Sequence, residues 1–302
     1  MARVITDNSK YIEGRGGIEA EILADSICRG SRITTFRLRY PRFIHAELMT
    51  HRVFSRNASS SRAIPFNRIK DEVQDNPAKP IHWGSNRRGM VAEQEVSEED
   101  KISADELWNL LAGYSVQFAD TLYNQFGLHK QVVNRLIEPF KFIDVIVTST
   151  EWNNFYSLRT AHDAQPEIQE LAKCMLYIHQ KSRPMELGHM DWHIPFDPEG
   201  NLDLETRLKV SAARCARISY TNHDGIYDIH NDLELVQRLK DSEHMTPFEH
   251  QATPIAPKLP LLWRLDKDVT HMDQEGNLWC KNLRGWASVR HSIERRDSFI
   301  YD

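Results

Sequence analysis

The sequence predicts an α+β protein: several segments carry apolar residues at helical spacing, only a few runs are β-rich, and neither an internal repeat nor a low-complexity tract organises the chain. With 302 residues, 40% of them hydrophobic, it can bury a substantial core as one large domain or two small ones.

Residues 18–27 and 32–38 read as two strands, and Cys28-Arg29-Gly30-Ser31 between them supplies a glycine for positive φ, so a hairpin is expected. Pro41 ends the second strand. Phe43, Ile44, Leu48, Met49 and Val53 then recur at helical spacing and place Glu47, His51 and Ser55 on another face, predicting a polar-faced helix that leads into Ser59-Ser60-Ser61. Residues 67–101 turn polar and charged, with Pro77, Pro80, Gly84 and Gly89, and read as a long irregular excursion that is either functional or disordered. Residues 104–126 form an amphipathic pattern whose stripe of Leu107, Leu110, Leu111, Tyr114, Phe118, Leu122 and Phe126 is expected to be core. Residues 151–161 read as helical, Pro166 suits the first turn of a helix carrying Ile168, Leu171, Met175 and Ile178 on one side, and 202–216 and 233–239 add two more. Residues 258–282 interrupt the pattern as an insertion.

A formal charge of -5 and a pI near 6.3 give no global attraction to nucleic acid or to an anionic membrane, so anionic ligands must be held by local arginine clusters. Cys28, Cys174, Cys215 and Cys280 form no CxxC pair and follow no secretory leader, so neither a zinc site nor a disulfide scaffold is indicated, and a reducing, cytoplasmic setting is expected. No apolar run approaches the roughly 20 residues of a membrane helix. The chain is therefore expected to be neither exported nor membrane-spanning.

Three polar clusters carry chemistry. In the first, Thr50-His51-Arg52-Val53-Phe54-Ser55-Arg56-Asn57-Ala58-Ser59-Ser60-Ser61-Arg62, small residues let backbone N–H groups approach an anion, hydroxyls add donors, and Arg62 offers a bidentate fork. The same composition also suits a solvated loop capping a helix. The second, 153–162, puts Tyr156 and Arg159 three apart on one helix side, as a binding surface or as an exposed amphipathic face; Arg135 can join it or merely pair with Glu138. The third, Ser242-Glu243-His244-Met245-Thr246-Pro247-Phe248-Glu249-His250, gathers histidines and glutamates without the spacing of a zinc helix, so no metal is assigned.

Together these clusters resemble the flavin-dependent thymidylate synthase family, whose signature is Arg-His-Arg, seven residues, then Ser. Here the match is Thr50-His51-Arg52, seven residues, Ser60, ending in Ser-x-Arg at Arg62, with further support from Arg135, Pro139, Asn154, Leu158, Arg159, Gln165 and Glu167. Residues 213–220 and 244–250 resemble segments that the family carries at its N-terminus, so the order looks circularly permuted. Permutation is tolerated where termini lie close together at the surface. Thr50 stands in place of the first signature arginine, Glu47 in place of a glutamine, Ala58 in place of an acidic residue, and Thr148-Ser149-Thr150 in place of Asn-x-Arg.

The resemblance implies a single domain over 1–302, interrupted at 67–101 and 258–282, with a central antiparallel sheet flanked by helices. It also implies a homotetramer with sites at subunit junctions. The implied reaction transfers a one-carbon unit from methylenetetrahydrofolate to C5 of dUMP, with FAD as cofactor and NADPH as reductant. In site residues it implies Arg159 as the catalytic arginine near the uracil ring. Glu47, Ser60, Ser61, Arg62 and Arg135, together with Arg159, would bind dUMP, while His51, Arg52, Asn154, Ser219, His244 and Thr246 would bind FAD. Two alternatives stay open: hydroxymethylation or another modification of a pyrimidine nucleotide, and a non-catalytic nucleotide-binding protein. A nucleic-acid binder is disfavoured by the acidic balance.

Overall fold

Residues 10–219, 228–256 and 267–297 are described by the computed structural model. Tyr11–Glu13 (β1), Glu19–Cys28 (β2) and Ser31–Pro41 (β3) are successive antiparallel strands. Arg29 and Gly30 join the last two with φ of 50° and 79°. A tight hairpin turn needs that left-handed pair to follow the twist of its strands, and Gly30 adopts it without steric cost. The expected hairpin is present, and its second strand continues to Pro41.

Ser55–Ala58 (β4) and Phe142–Ser149 (β5) complete an antiparallel sheet in the order β1-β2-β3-β5-β4, and Met185–Glu186 (β6) adds to β2 in parallel. Alternation along β3 sends Phe36, Leu38 and Tyr40 to one face and Thr35, Arg37 and Arg39 to the other. On the second face Arg39 sits opposite both Glu19 and Asp144 in register and also reaches Glu72 at 2.6 Å. The sheet is thus apolar on one side and ion-paired on the other.

The helices of the described residues are His45–Met49 (α1), Phe66–Asp75 (α2), Glu98–Asn124 (α3), Lys130–Ile137 (α4), Asn153–Arg159 (α5), Pro166–Lys181 (α6), Leu204–Ala216 (α7), Ile229–Asp241 (α8) and Val289–Asp297 (α9). The apolar sheet face packs against α6 through Ile168, Leu171, Met175 and Ile178, the stripe expected from the sequence. Gln165 caps α6 by accepting from Ile168 N at 3.3 Å. Ala252–Pro254 (β7), His271–Met272 (β8), Leu278–Cys280 (β9), Leu283–Arg284 (β10) and Trp286–Ser288 (β11) follow, with β7 paired to β11. The fully buried Trp286 closes a small core with Cys28, Ile33, Leu187, Ala252 and Leu283, fastening this C-terminal unit to the hairpin.

Four sequence expectations change. The polar-faced helix stops at Met49, and Ser55, expected on it, begins β4, because the edge of β5 offers a backbone ladder that pairs Ser55 with Thr148. The excursion at 67–101 is partly ordered: 66–75 is helix α2, whose Phe66, Ile69 and Val73 are buried against α3 and α4. α3 itself starts at Glu98, where Ser97 caps it by accepting from Asp100 N at 3.1 Å. Finally, the stripe of α3 expected to be core is largely exposed, since its buried side is Ala112, Val116 and Ala119. Small side chains let α2 and α4 approach closely and turn the large ones outward. In the insertion expected at 258–282, residues 258–266 lie outside the described part and 271–280 carry the β8–β9 hairpin.

A buried polar chain crosses the sheet. Ser26 Oγ lies 2.9 Å from His193 Nδ1, His193 Nε2 2.8 Å from Thr35 Oγ1, Thr35 Oγ1 2.7 Å from Thr148 Oγ1, and Thr148 Oγ1 2.8 Å from His250 Nδ1. Burial pushes both imidazoles down to about 3, so each is neutral in the folded protein. His250 thereby joins the cluster at 244–250 to β5.

Candidate active site around strand β4

The site residues gather in three groups around β4. The first lies where α1 ends. Arg159, in the last turn of α5, donates from Nε to His51 Nε2 at 3.0 Å, and from Nη2 to Thr50 Oγ1 at 3.1 Å and to the Glu47 carbonyl at 3.3 Å. Thr50, which replaces the signature arginine, therefore serves as an acceptor for Arg159. His51 is buried between Phe54 and Phe155, and burial first, then Arg159 and Arg56, hold its pKa below the ordinary imidazole value. As an acceptor from Arg159 it carries its proton on Nδ1. Glu47 keeps a buried carboxylate oxygen, Oε2, with no hydrogen-bond partner. Such an orphan acceptor is costly unless a ligand N–H or O–H meets it.

The second group lies beyond the other end of β4. Ser59 and Asp144 exchange hydrogen bonds across the loop, Ser59 N to Asp144 O at 2.8 Å and Asp144 N to Ser59 Oγ at 3.2 Å. The fully buried Asn134 donates to the carbonyls of Ser61 at 2.7 Å and Ile64 at 3.2 Å, fixing the serine turn on α4. Ser61 Oγ donates to the Glu138 carboxylate, which also takes Arg135 Nη1 at 2.8 Å and Arg42 Nη2 at 3.5 Å. Burial raises the Glu138 pKa, but the Ser61 hydroxyl and the Arg42 and Arg135 guanidiniums outweigh it and hold the carboxyl below its usual range. Arg62 is exposed and makes no hydrogen bond or ion pair among the described residues, and Ser60 is exposed beside it. The arrangement is a cradle of donors around the Glu138 carboxylate, and it can receive an anion.

The third group comes from the C-terminal third. Thr246 Oγ1 donates to Asn57 Oδ1 at 3.2 Å, and Asn57 Nδ2 donates to the carbonyl of Cys215 at 2.7 Å, so 244–250 and the end of α7 both return to the signature strand. His244, Arg52 and Asn154 are exposed. Ser219 ends a 3-10 turn, and its side chain lies outside the described part.

Within one chain Arg159 is thus gathered with Glu47 and His51, while Ser61 and Arg135 meet elsewhere, with four-residue β4, about 13 Å of strand, between the groups. Sequence reasoning missed Glu138, treated there only as a surface partner of Arg135; it missed Arg42 and Asn57 as well. Asn57 stood inside the signature and could have been found there; Arg42 carried no local signal. Among the described residues no group of three or more His, Cys, Asp or Glu side chains could hold a metal ion, and no helix is long and apolar enough to cross a membrane.

A family model described as thymidylate synthase complementing protein matches residues 32–185, the stretch that holds the first two groups. Among solved structures, a UMP/dUMP methylase PolB from Streptomyces cacaoi bound with 5-Br UMP is 17% identical, with 56% of this chain and 92% of that one covered and a TM-score of 0.45. Flavin-dependent thymidylate synthase ThyX from Helicobacter pylori, complexed with FAD and dUMP, is 16% identical, with 49% and 67% covered and a TM-score of 0.34. A comparison with the curated proteins finds no match.

Proposed function

The chain belongs to the thymidylate synthase complementing protein family, and from that premise we propose that it is a flavin-dependent enzyme that alkylates C5 of a pyrimidine monophosphate, dUMP first, in the cytoplasm. The observation that carries the reading is the Arg159 guanidinium, oriented by His51, Thr50 and Glu47 beside a buried acceptor left unpartnered. C5 of uracil is a weak nucleophile until the ring gains electron density, and a fixed guanidinium lowers the cost of the charge that then develops.

Ser60, Ser61, Arg62 and Arg135 hold the phosphate in this reading, and Glu47 accepts from the base. The guanidinium, amide and imidazole of Arg52, Asn154 and His244 are exposed, as oxygen-rich FAD requires, and His51, Thr246 and Ser219 complete the flavin set in this reading. Bound flavin supplies the hydride. The protein's own part is to bind, orient and bias charge. Methylenetetrahydrofolate is the one-carbon donor and NADPH the reductant. Because the Arg159 and Arg135 groups are separate in one chain, a complete site forms where chains of a homotetramer meet.

Purified protein supplied with FAD, NADPH, methylenetetrahydrofolate and either dUMP or UMP tests this directly, with the product read by mass spectrometry. Thymidylate is expected. A colourless protein that gains no flavin absorbance on adding FAD and leaves both nucleotides unchanged would sink the proposal.

Glu138 yields a sharper expectation. A phosphate entering the cradle must displace a carboxylate already bonded to Ser61, Arg135 and Arg42, and like charges oppose that step. Glu138→Gln should therefore tighten dUMP binding about tenfold, ~1.4 kcal/mol, while leaving affinity for the unphosphorylated nucleoside unchanged; calorimetric titration reads both. Since the Glu138 carboxyl titrates below its usual range, mild acidification will not mimic the substitution.

A further inference from the structure

The far edge of the sheet borders a cavity that the site around β4 does not use. Its volume is about 560 Å³, within the usual range for small-molecule sites, and it lies beside β2, which β3 and β5 separate from β4 by about 14 Å. β1 pairs with β2 only as far as Glu21, and β6 only from Ser26, so residues 23–25 run along the cavity with no partner strand on that side among the described residues. The register against β3 shifts between Ile22 and Ala24, which leaves Leu23 as the extra residue of a bulge, and bulges re-aim side chains next to sites. Across the cavity Phe196 is held at φ 53°, a left-handed value that bulky residues rarely adopt outside functional sites.

The charges of the wall do not cancel. Its carboxylates are already taken: Asp25 pairs with Arg32 at 2.6 Å, Asp197 accepts from Arg207 Nε at 2.9 Å, and Glu21 lies 3.5 Å from Arg37. Lys10 and Arg183 form no ion pair among the described residues, so two cations stay uncompensated. Trp192 is half-buried in the same wall and makes no hydrogen bond and no ring contact among the described residues. Ser26, only 4% exposed, also lines the cavity and starts the polar chain through His193 and Thr35 to Thr148, which faces Ser55 of β4 in register.

We propose that this cavity is a second ligand site, for a planar aromatic ring that carries an anionic group. The ring lies against Trp192 and Phe196, where stacking on an aromatic side chain favours it. The Arg183 fork and the Lys10 ammonium take the phosphate or carboxylate. The Ser26 hydroxyl and the free edge of β2 meet the polar atoms of the ring. A neutral ring would leave both cations unanswered, and an anion without a ring would leave the aromatic wall bare. Nucleoside monophosphates and aryl carboxylates share the required chemistry. The inference stands whether or not the functional reading holds, because it uses none of the residues assigned to dUMP or FAD.

The test is calorimetric titration of the full chain with AMP, with para-aminobenzoate and with inorganic phosphate, each with and without excess dUMP. AMP, para-aminobenzoate or both should bind, phosphate alone should bind far more weakly, and dUMP should displace neither ring compound. Which of the two binds names the source of the ligand. Arg183→Gln and Trp192→Ala should each weaken that binding about tenfold or more, and Trp192→Phe should keep most of it. Circular dichroism and dUMP affinity should be unchanged in all three variants. Four results would each overturn the proposal: neither ring compound binding at millimolar concentration; phosphate binding as tightly as they do; binding indifferent to Arg183→Gln and Trp192→Ala; or displacement by dUMP, which would assign the ligand to the site around β4.

Discussion

Arg159→Ala is expected to lower turnover by roughly 10²- to 10³-fold, the usual cost of removing one preorganised charge-stabilising donor, while the protein stays folded. The guanidinium is partly exposed, and its partners are the Thr50 hydroxyl, the His51 ring and one carbonyl. Its removal should cost only about 1–2 kcal/mol of stability. His51 provides a readout independent of turnover. Burial depresses its pKa most, and Arg159 and Arg56 depress it further, so losing Arg159 must move the imidazole back toward its ordinary value. Histidine NMR titration of Arg159→Ala should show that upward shift, and Arg159→Lys should keep part of the depression while losing the fork that reaches His51 and Thr50 together. Near-normal turnover would remove Arg159 from its assigned role.

Acid should begin to destabilise the protein well above the range in which carboxylates titrate. His193 and His250 are fully buried, with folded-state pKa values of about 3, against about 6.5 when the chain is unfolded. Between these values the unfolded chain binds a proton at each histidine and the native chain does not, so stability falls as pH falls from about 6.5 toward 3. Each histidine contributes about 1.4 kcal/mol per pH unit. By pH 4.5 the pair has removed on the order of 5 kcal/mol, comparable with the whole stability of many domains. His45 and His179, pushed down to about 4 chiefly by burial, act in the same direction over a narrower window. Urea titrations between pH 7 and 5 check the slope. His250→Asn keeps a group able to bond Thr148 but no titrating ring, and should lower the slope by about one proton. Stability independent of pH across that range would contradict the neutral, buried assignment.

Much of this was legible in residue order. The spacing of Ile168, Leu171, Met175 and Ile178 announced the buried side of α6, and Arg29-Gly30 announced the hairpin turn, because these signals act within a few residues of backbone. The signature at 50–62 likewise stood out as text, and Arg159 stood out as a candidate. Other readings failed for a shared reason. Ser55 became a strand residue because β5, almost ninety positions later in sequence, offered it a ladder. Glu138 became the occupant of the serine turn only once α4 was docked by Asn134.

From residue order alone come the α+β class, the hairpin, most helices and the family signature. Tertiary structure alone decides that Arg159 and Arg135 stand at opposite ends of β4, that the Glu138 carboxylate sits among Ser61, Arg135 and Arg42, and that α3 turns its large apolar residues to the outside. Periodicity reports that a helix has two faces; which face is buried depends on how closely its neighbours can approach. At Ala112, Val116 and Ala119 small side chains permit that approach, and no local pattern encodes it.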